Sequence, residues 1–441
     1  REPPVPTGPM TIKTLHITNS YHPASGGIRT FYNALLDAAD RHRRFVRIVV
    51  PGAETSIEEV GKFGRIYYVA APRVPVLDSR YRWMLPHAYA WRYDSPLRRI
   101  LAAERPDLVE VCDKFWLLYL SGVLRRRWIP GVPVPVVVGL TCERLDDNMA
   151  TYVSAGPAAQ RACERYMRSC YVPRFDFHIA ASDYIAAEVR RLLPERLRGR
   201  LYVCPMGMDF EAFSASRDAS ALRQELFGRI GGSARTVLLL YAGRLSKEKN
   251  LTVLPQVLAK LGEHADSDYR LVIAGEGPFA GELRHALEAR APGRSLFLGH
   301  CRREDLPALY HATDIFVHPN PREPFGIAPL EAMAASLPLV APASGGILTY
   351  ADRQNTWLVE NTPAAFAQAI QSVRSDGLLC RRKTERARRT AQEFSWTRVT
   401  ANYFQLYDLF HERAHREGFG GESATPTSVP DPHASEAGLF V

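Results

Sequence analysis

The chain has 441 residues, 46% of them hydrophobic and 23% charged. That length suits two or three domains with real cores, and the balance excludes a mostly disordered, collagen-like or coiled-coil chain. A net charge of +9 admits anionic ligands without selecting one, and no apolar run reaches bilayer length: the best, Val132 to Leu140, is interrupted by Pro133 and Pro135.

In chain order, Thr11 to Asn19 predicts a strand, followed by a loop with Gly26-Gly27 and an apolar-periodic helix from Ile28 to about Ala39. Further short apolar runs are Arg47 to Pro51, Ile66 to Ala71, Leu108 to Cys112, Val134 to Leu140, Phe177 to Ala181 and Tyr202 to Pro205, with helical stretches between most of them. Ser182 is placed to cap the helix after its strand. Residues 206–234, with Gly207, Gly228, Gly231 and Gly232, read as a connector. The pattern then restarts with Val237 to Ala242, Leu271 to Ala274, Leu296 to Leu298, Ile315 to His318 and Leu339 to Ala341. Residues 391–415 read as helix, and from Glu417 onward Gly, Ser, Thr and Pro predict a disordered tail.

Short strands alternating with amphipathic helices predict an α/β fold of two doubly wound, Rossmann-like domains, residues 10–205 and 206–395, with residues 416–441 as the tail. Ligands in such folds sit at the carboxyl ends of the strands, so a cleft between the domains is the expected active site. Seven cysteines with no C-x-x-C spacing, and no basic-then-apolar leader, lead to the expectation of reduced thiols and a cytoplasmic protein.

The strongest constellation is His318-Pro-Asn-Pro-Arg-Glu323-Pro-Phe325-Gly326-Ile327-Ala-Pro-Leu-Glu331, which leaves a strand, crosses a proline-rich turn and enters a helix near Gly326. A helix start offers free N–H groups and a positive dipole, which suits phosphate. Glu323 lies outside the helix and Glu331 one to two turns inside it, so the two need not share a task. The bland alternative is a solvated loop and a solvated helix face. The second element, Gly243-Arg244-Leu-Ser-Lys-Glu-Lys249-Asn250, follows a strand directly and holds two of the chain's seven lysines. Lysine is a compact point charge suited to phosphate; alone, this loop could equally be a basic turn.

Together these elements resemble the retaining glycosyltransferases of the GT-B fold, group 1 (glycosyltransferase family 4-like). The resemblance covers most of the chain: Gly26-Gly27, Val203-Cys-Pro-Met-Gly207-Met-Asp209, the Gly243-Arg244 to Lys249 loop, Glu323 and Glu331, and Ser344-Gly345-Gly346. It implies a hexosyltransferase that needs no cofactor and no metal and uses a nucleotide-diphosphate sugar as donor. Arg244 and Lys249 would hold the diphosphate, Glu323 the transferred sugar and Glu331 the ribose, with Gly26, Gly27, Phe325, Gly326 and Ile327 lining the substrates. It also implies that the helix at about 396–415 returns to the first, acceptor-binding domain, while the second binds the donor. The resemblance departs at Thr141-Cys142-Glu143-Arg144-Leu145-Asp146-Asp147-Asn148, where many relatives carry a histidine and this chain has none. Glu143 and Asp146 are candidates for the acceptor side, with a structural salt bridge the equal alternative. A phosphorylase or epimerase using the same pocket, and a nucleotide-sugar-binding protein without turnover, stay open as other readings.

Three further motifs carry less. Gly275-Glu-Gly277-Pro-Phe-Ala280 fits the dinucleotide fingerprint formally, but the following strand ends in Gly299-His300 rather than an acidic residue. Asp266-Ser-Asp268 precedes its strand, at the wrong sheet edge for a ligand. Arg381, Arg382, Lys383, Arg386, Arg388 and Arg389 read as a solvated basic helix face, not a nucleic-acid site. Four of six tryptophans (83, 91, 116 and 128) fall in the first domain, interleaved with arginine at 80–93 and 125–128. Such a surface suits a sugar or lipid-linked acceptor and a peripheral contact at the inner face of a membrane.

Overall fold

The computed structural model describes residues 12–22, 26–73, 82–85, 92, 94–233, 235–263 and 268–418. The tail beyond 418 and Arg80, Tyr81, Trp91, Tyr93 and Asp266 lie outside them. The described chain forms two units. The first runs up to Asp146 and adds Gly156–Met206 and the segment from Thr397; the second comprises Asp147–Ala155 and Gly207–Trp396.

In the first unit the described strands are β1 (Lys13–Thr18), β2 (Phe45–Gly52), β3 (Ser56–Val60), β4 (Gly64–Ala70), β5 (Leu108–Cys112), β6 (Val136–Thr141), β7 (Phe177–Ala180) and β8 (Leu201–Val203). They form one sheet in the order β3-β4-β2-β1-β5-β6-β7-β8, parallel except for the β3–β4 hairpin. Every residue of β5 and β6 is buried, as expected where helices cover both faces. The sequence reading missed β3 because its Ser-Ile-Glu-Glu-Val carries no apolar alternation. It is an exposed edge strand whose Glu58 and Glu59 discourage further pairing. Its turn is set by Gly61 at φ +63° and by the Asp40 carboxylate, which accepts from the Lys62 and Phe63 N–H groups at 2.8 and 2.9 Å. Ser182 caps its helix, accepting from Ile185 N–H at 3.2 Å.

The helix Trp396–Glu417 buries Val399, Tyr403, Leu406, Tyr407, Phe410 and Ala414, the 3.6-residue stripe of a core helix. From Thr397 it belongs to the first unit, with Phe410 stacked on Phe177 at 4.4 Å and Arg413 donating to Gly199 O at 2.8 Å. Its deepest anchor is polar. The fully buried Glu110 carboxylate of β5 accepts from Tyr407 Oη at 2.7 Å and Tyr32 Oη at 3.2 Å, and lies 2.9 Å from His16 Nδ1.

The second unit contains β9 (Thr236–Ala242), β10 (Asp268–Ala274), β11 (Ser295–Gly299), β12 (Ile315–Val317), β13 (Leu339–Pro342) and β14 (Trp357–Val359). Their order is β11-β10-β9-β12-β13-β14, all parallel. β9 is buried along its whole length, and Leu239, Leu271, Ile273, Leu283 and Ile370 share one core with it. The stretch read as a connector instead holds the helices Phe210–Ser214 and Ser220–Ile230. Asp209 caps the first, and Gly231 at φ +71° ends the second. Gly228 sits inside it with nothing within 4 Å of a Cβ, so that glycine does not mark a turn. β14 was also missed; it is a half-buried strand at the edge of its sheet.

Tyr407→Phe leaves a lone pair of a buried carboxylate unpartnered and is expected to cost roughly 2 kcal/mol. Tyr403→Phe, which removes only a 2.8 Å bond to Cys204 O, is expected to cost about 1 kcal/mol. Urea denaturation of both variants checks the order; equal losses would deny the Glu110 anchor its special weight.

Candidate active site

Four strand-to-helix connections of the second unit meet at the carboxyl edge of its sheet. Those after β9 and β10 are fastened backbone to backbone. Gly243 N–H donates to Ala274 O and Leu245 N–H to Glu276 O, both at 2.9 Å. A Cβ on Gly275 would lie 1.9 Å from Gly243 O, and one on Gly277 2.2 Å from Leu245 O, with both residues at positive φ. The G-x-G-x-x-A match is therefore a close-packing device between two loops. Arg244 stands exposed on the first loop, its carbonyl accepting from Tyr241 Oη at 3.0 Å.

The next turn of that loop carries Lys249. Its ammonium donates to both oxygens of Glu323, at 3.0 and 2.9 Å, and Asn320 Nδ2 adds a 2.9 Å bond to Glu323 Oε2. Burial would raise the Glu323 pKa, but the charge of Lys249, that of His318 once acid has protonated it, and the hydrogen bonds from Lys249 and Asn320 outweigh it and bring the carboxyl down to about 2. Asn320 Oδ1 also accepts from Arg322 N–H at 3.0 Å, which shapes the turn. Asn250 ties the two loops together, donating to Pro319 O at 2.9 Å. His318 is buried, and burial first, then Lys249, lowers its pKa to about 4 against the pull of Glu323.

Gly326 caps the helix Ile327–Ala334 at φ +89°, its carbonyl accepting from Tyr350 Oη at 2.5 Å. A Cβ there would lie 2.8 Å from Tyr350 Oη. Phe325 packs against Tyr350 and Phe394, with centroids 5.3 and 6.1 Å apart, and Ile327 is half-buried. Gly346 N–H reaches Glu323 O at 2.6 Å, and a Cβ on Gly346 would overlap Pro324 O at 1.8 Å. The Ser344-Gly345-Gly346 segment thus closes over the Glu323 turn. Glu331 faces another way, accepting from Tyr310 Oη at 3.1 Å. Burial raises its pKa to about 7, with Arg303 and the Tyr310 bond pulling the other way.

The structure thus brings Lys249 and Glu323 into contact and gives Glu331 a separate buried environment, as the spacing of the two glutamates suggested. The remaining candidates lie in the first unit. Gly26 is the cap position of the helix Gly27–His42, with nothing within 4 Å of a Cβ. Glu143 is exposed. Asp146 is held by Arg144 at 2.9 and 2.6 Å, with Arg191 at 3.5 Å, so its carboxylate serves an ion-pair cluster. Sequence reasoning passed over Lys114. Buried after β5, it donates to Glu143 O at 2.5 Å and to Glu188 Oε2 at 3.2 Å. Glu188 in turn accepts from Leu145 and Asp146 N–H. The scarcity of lysine that pointed to Lys249 was the available signal. Arg82, half-buried, donates to Ala71 O at 2.6 Å.

The Glu331 shift has a definite sign. Its folded pKa of about 7 exceeds the ordinary 4.5, so stability falls as pH rises from the lower to the higher value, where only the unfolded chain has released the proton. Above that window the penalty is constant. Glu331→Gln is therefore expected to gain stability over the parent progressively between those pH values, by up to about 3 kcal/mol. Thermal melts across pH check it; a constant difference would refute it.

The comparisons with known proteins agree with this geometry. Residues 26–205 match the model "Glycosyl transferase 4-like domain" and residues 223–390 the model "Glycosyl transferases group 1". The chain is 29% identical over 393 residues to a GDP-mannose-dependent alpha-(1-6)-phosphatidylinositol dimannoside mannosyltransferase of Mycobacterium tuberculosis, covering 89% of this chain and 94% of that one. It is 31% identical over 333 residues to the D-inositol 3-phosphate glycosyltransferase of Corynebacterium glutamicum, covering 72% and 75%. Among solved structures, sucrose-phosphate synthase from Thermosynechococcus elongatus superposes with a TM-score of 0.71 at 19% identity, covering 91% of this chain and all of that one, which establishes a shared fold. With both halves matched and the glutamate pair in place, the chain belongs to the group 1 glycosyltransferases of the GT-B fold, enzymes that transfer a sugar from a nucleotide-sugar donor.

Proposed function

We propose that the enzyme transfers a hexose with retention of configuration, without a metal, from a nucleotide-diphosphate sugar to a sugar or lipid-linked acceptor. The observation that carries this is the buried Lys249–Glu323–Asn320 cluster beside the Gly326 helix start. Lys249 and Arg244, with the free N–H groups of that helix, stabilise charge growing on the departing diphosphate. Glu323 meets the transferred sugar and Glu331 the ribose. Acceptor attack on the face the diphosphate leaves lets a phosphate oxygen take the acceptor proton, so no separate base is needed. The likeness to a GDP-mannose-dependent enzyme supports GDP-mannose as the donor and an inositol-containing lipid as the acceptor class.

No described helix is long and apolar enough to cross a membrane. A lipid-borne acceptor would be met from the surface. The first unit exposes Phe115, Trp116 and Trp128, and Arg126 stacks over Trp128 at 5.2 Å. Arg125 is engaged with Asp176 at 2.5 Å.

Lys249→Ala is expected to weaken GDP-mannose binding and turnover by at least about tenfold, and turnover should survive EDTA. Loss of activity in EDTA with recovery in manganese would end the metal-free reading. Flotation on anionic liposomes should weaken with salt and in Trp128→Ala, with nucleotide affinity unchanged. Absence of lipid binding alongside turnover on a soluble acceptor would remove the membrane contact alone.

A further inference from the structure

His318 ends the β12 segment, its N–H still paired with Val340 O at 2.9 Å, and its side chain lies buried beneath the Glu323 turn. Its Nε2 is buried, makes no hydrogen bond among the described residues and sits 3.7 Å from Glu323 Oε2. Neither protonation state of that nitrogen is comfortable. With a proton on Nε2 the contact is too long for a good bond; without one, a lone pair faces a carboxylate. Glu323 meanwhile takes its positive charge from Lys249, the more exposed of the two partners at 23% against 10%.

The reading of Lys249 as diphosphate clamp creates a difficulty. An ammonium drawn to the diphosphate leaves Glu323 as a buried carboxylate without its cation, which is strongly unfavourable. Resting on that clamp reading, we propose that His318 is a positioning residue for Glu323: as Lys249 turns to the diphosphate, His318 Nε2 takes one proton from solvent and becomes the counter-ion of the carboxylate. Before binding, Lys249 is positive, Glu323 negative and His318 neutral. Afterwards Lys249 faces the diphosphate and an imidazolium–carboxylate pair remains, with one proton gained from water and no other bond made or broken. The pair keeps Glu323 ionised and aimed while the sugar occupies the site.

The surroundings favour this exchange. Burial first and the Lys249 charge depress the His318 pKa, while Glu323, more strongly than the lysine, and a backbone bond to Asn320 raise it; withdrawal of the lysine removes one of the two depressing influences. Tyr241 of β9 and Tyr350 also feel Glu323, but burial first and then that charge hold both phenols well above their ordinary range, so they stay neutral. Glu248 and Glu331, the other acids acting on these phenols, are anionic or neutral and offer no cation.

Calorimetric titration of the full chain with GDP-mannose near pH 7, in buffers of different ionisation enthalpy, tests the proposal. Each phosphate of this ligand carries one ester and one anhydride linkage, which leaves only a strongly acidic oxygen, so it does not itself titrate there. The parent should take up about one proton per ligand more than His318→Asn, and its affinity should fall more steeply than that of the variant on the alkaline side, by up to about tenfold per pH unit. His318→Asn should still bind, and any exchange that remains in it belongs to Glu331, whose pKa of about 7 lies in the same range. Equal uptake in the parent and in His318→Asn overturns the proposal; if that variant does not fold, Glu331→Gln, which removes the other group titrating near pH 7, should take up about one proton, and binding there without uptake overturns it. Undiminished GDP-mannose affinity in Lys249→Ala would instead remove the clamp reading, and this proposal with it. If GDP-mannose does not bind, UDP-glucose is titrated under the same criteria, and failure of both ends the donor reading itself.

Discussion

A carboxylate shut away from water needs charge or donors supplied by the protein, and in the second unit that carboxylate is Glu323. Lys249 and Asn320 meet its oxygens. Much of the surrounding backbone depends on that arrangement. Asn320 can serve Glu323 only if its own loop turns tightly, which its bond to Arg322 N–H secures. The carbonyl of Glu323 is satisfied by Gly346 N–H, and the approach this needs leaves no room for a side chain on Gly346. Leaving the turn, the chain enters its helix through Gly326 in a left-handed conformation that a Cβ would strain. One buried charge thus accounts for a lysine, an asparagine and two glycines on three connections.

The first unit solves the same problem differently. Among the described residues Glu110 has no ammonium or guanidinium bonded to it; two tyrosine hydroxyls and an imidazole surround it. These donors sit on β1, on the helix Gly27–His42 and on the C-terminal helix, each fixed by core packing. Glu323, by contrast, relies on a long side chain that keeps partial access to water. A carboxylate satisfied by rigid donors fastens a core. One satisfied by a flexible cation can exchange partners when a ligand arrives, and the sheet edge is where that freedom is useful.

Much of the fold was legible because the buried parallel strands are continuous apolar runs and their helices are periodic. What escaped was structure whose residues do not look like it. Ser56–Val60 is a polar edge strand, Trp357–Val359 is a half-buried edge strand, and Gly228 sits mid-helix. At the site, scarcity of lysine exposed Lys249, and the seven-residue interval between the glutamates separated their surroundings. Scarcity also marked Lys114, but its partner Glu188 lies 74 residues away and no local pattern links them. The state of His318 was equally hidden. It depends on burial and on a neighbour from another strand's loop, neither of which a linear motif records.

The return of the helix Trp396–Glu417 to the first unit has a consequence for how the chain is made. Synthesis is vectorial, and N-terminal domains commonly fold as they emerge, at about 5–20 residues per second. Here the first unit cannot satisfy Glu110 or cover Phe177 until Tyr407 and Phe410 exist, and these come after the whole of the second unit. The second unit has all its strands before that point and can close its core on the ribosome. The order of completion is therefore the reverse of the order of synthesis. The nascent first sheet must wait with an apolar face open, a window in which chaperone binding, or a stop codon only tens of residues early, would decide the fate of the entire molecule.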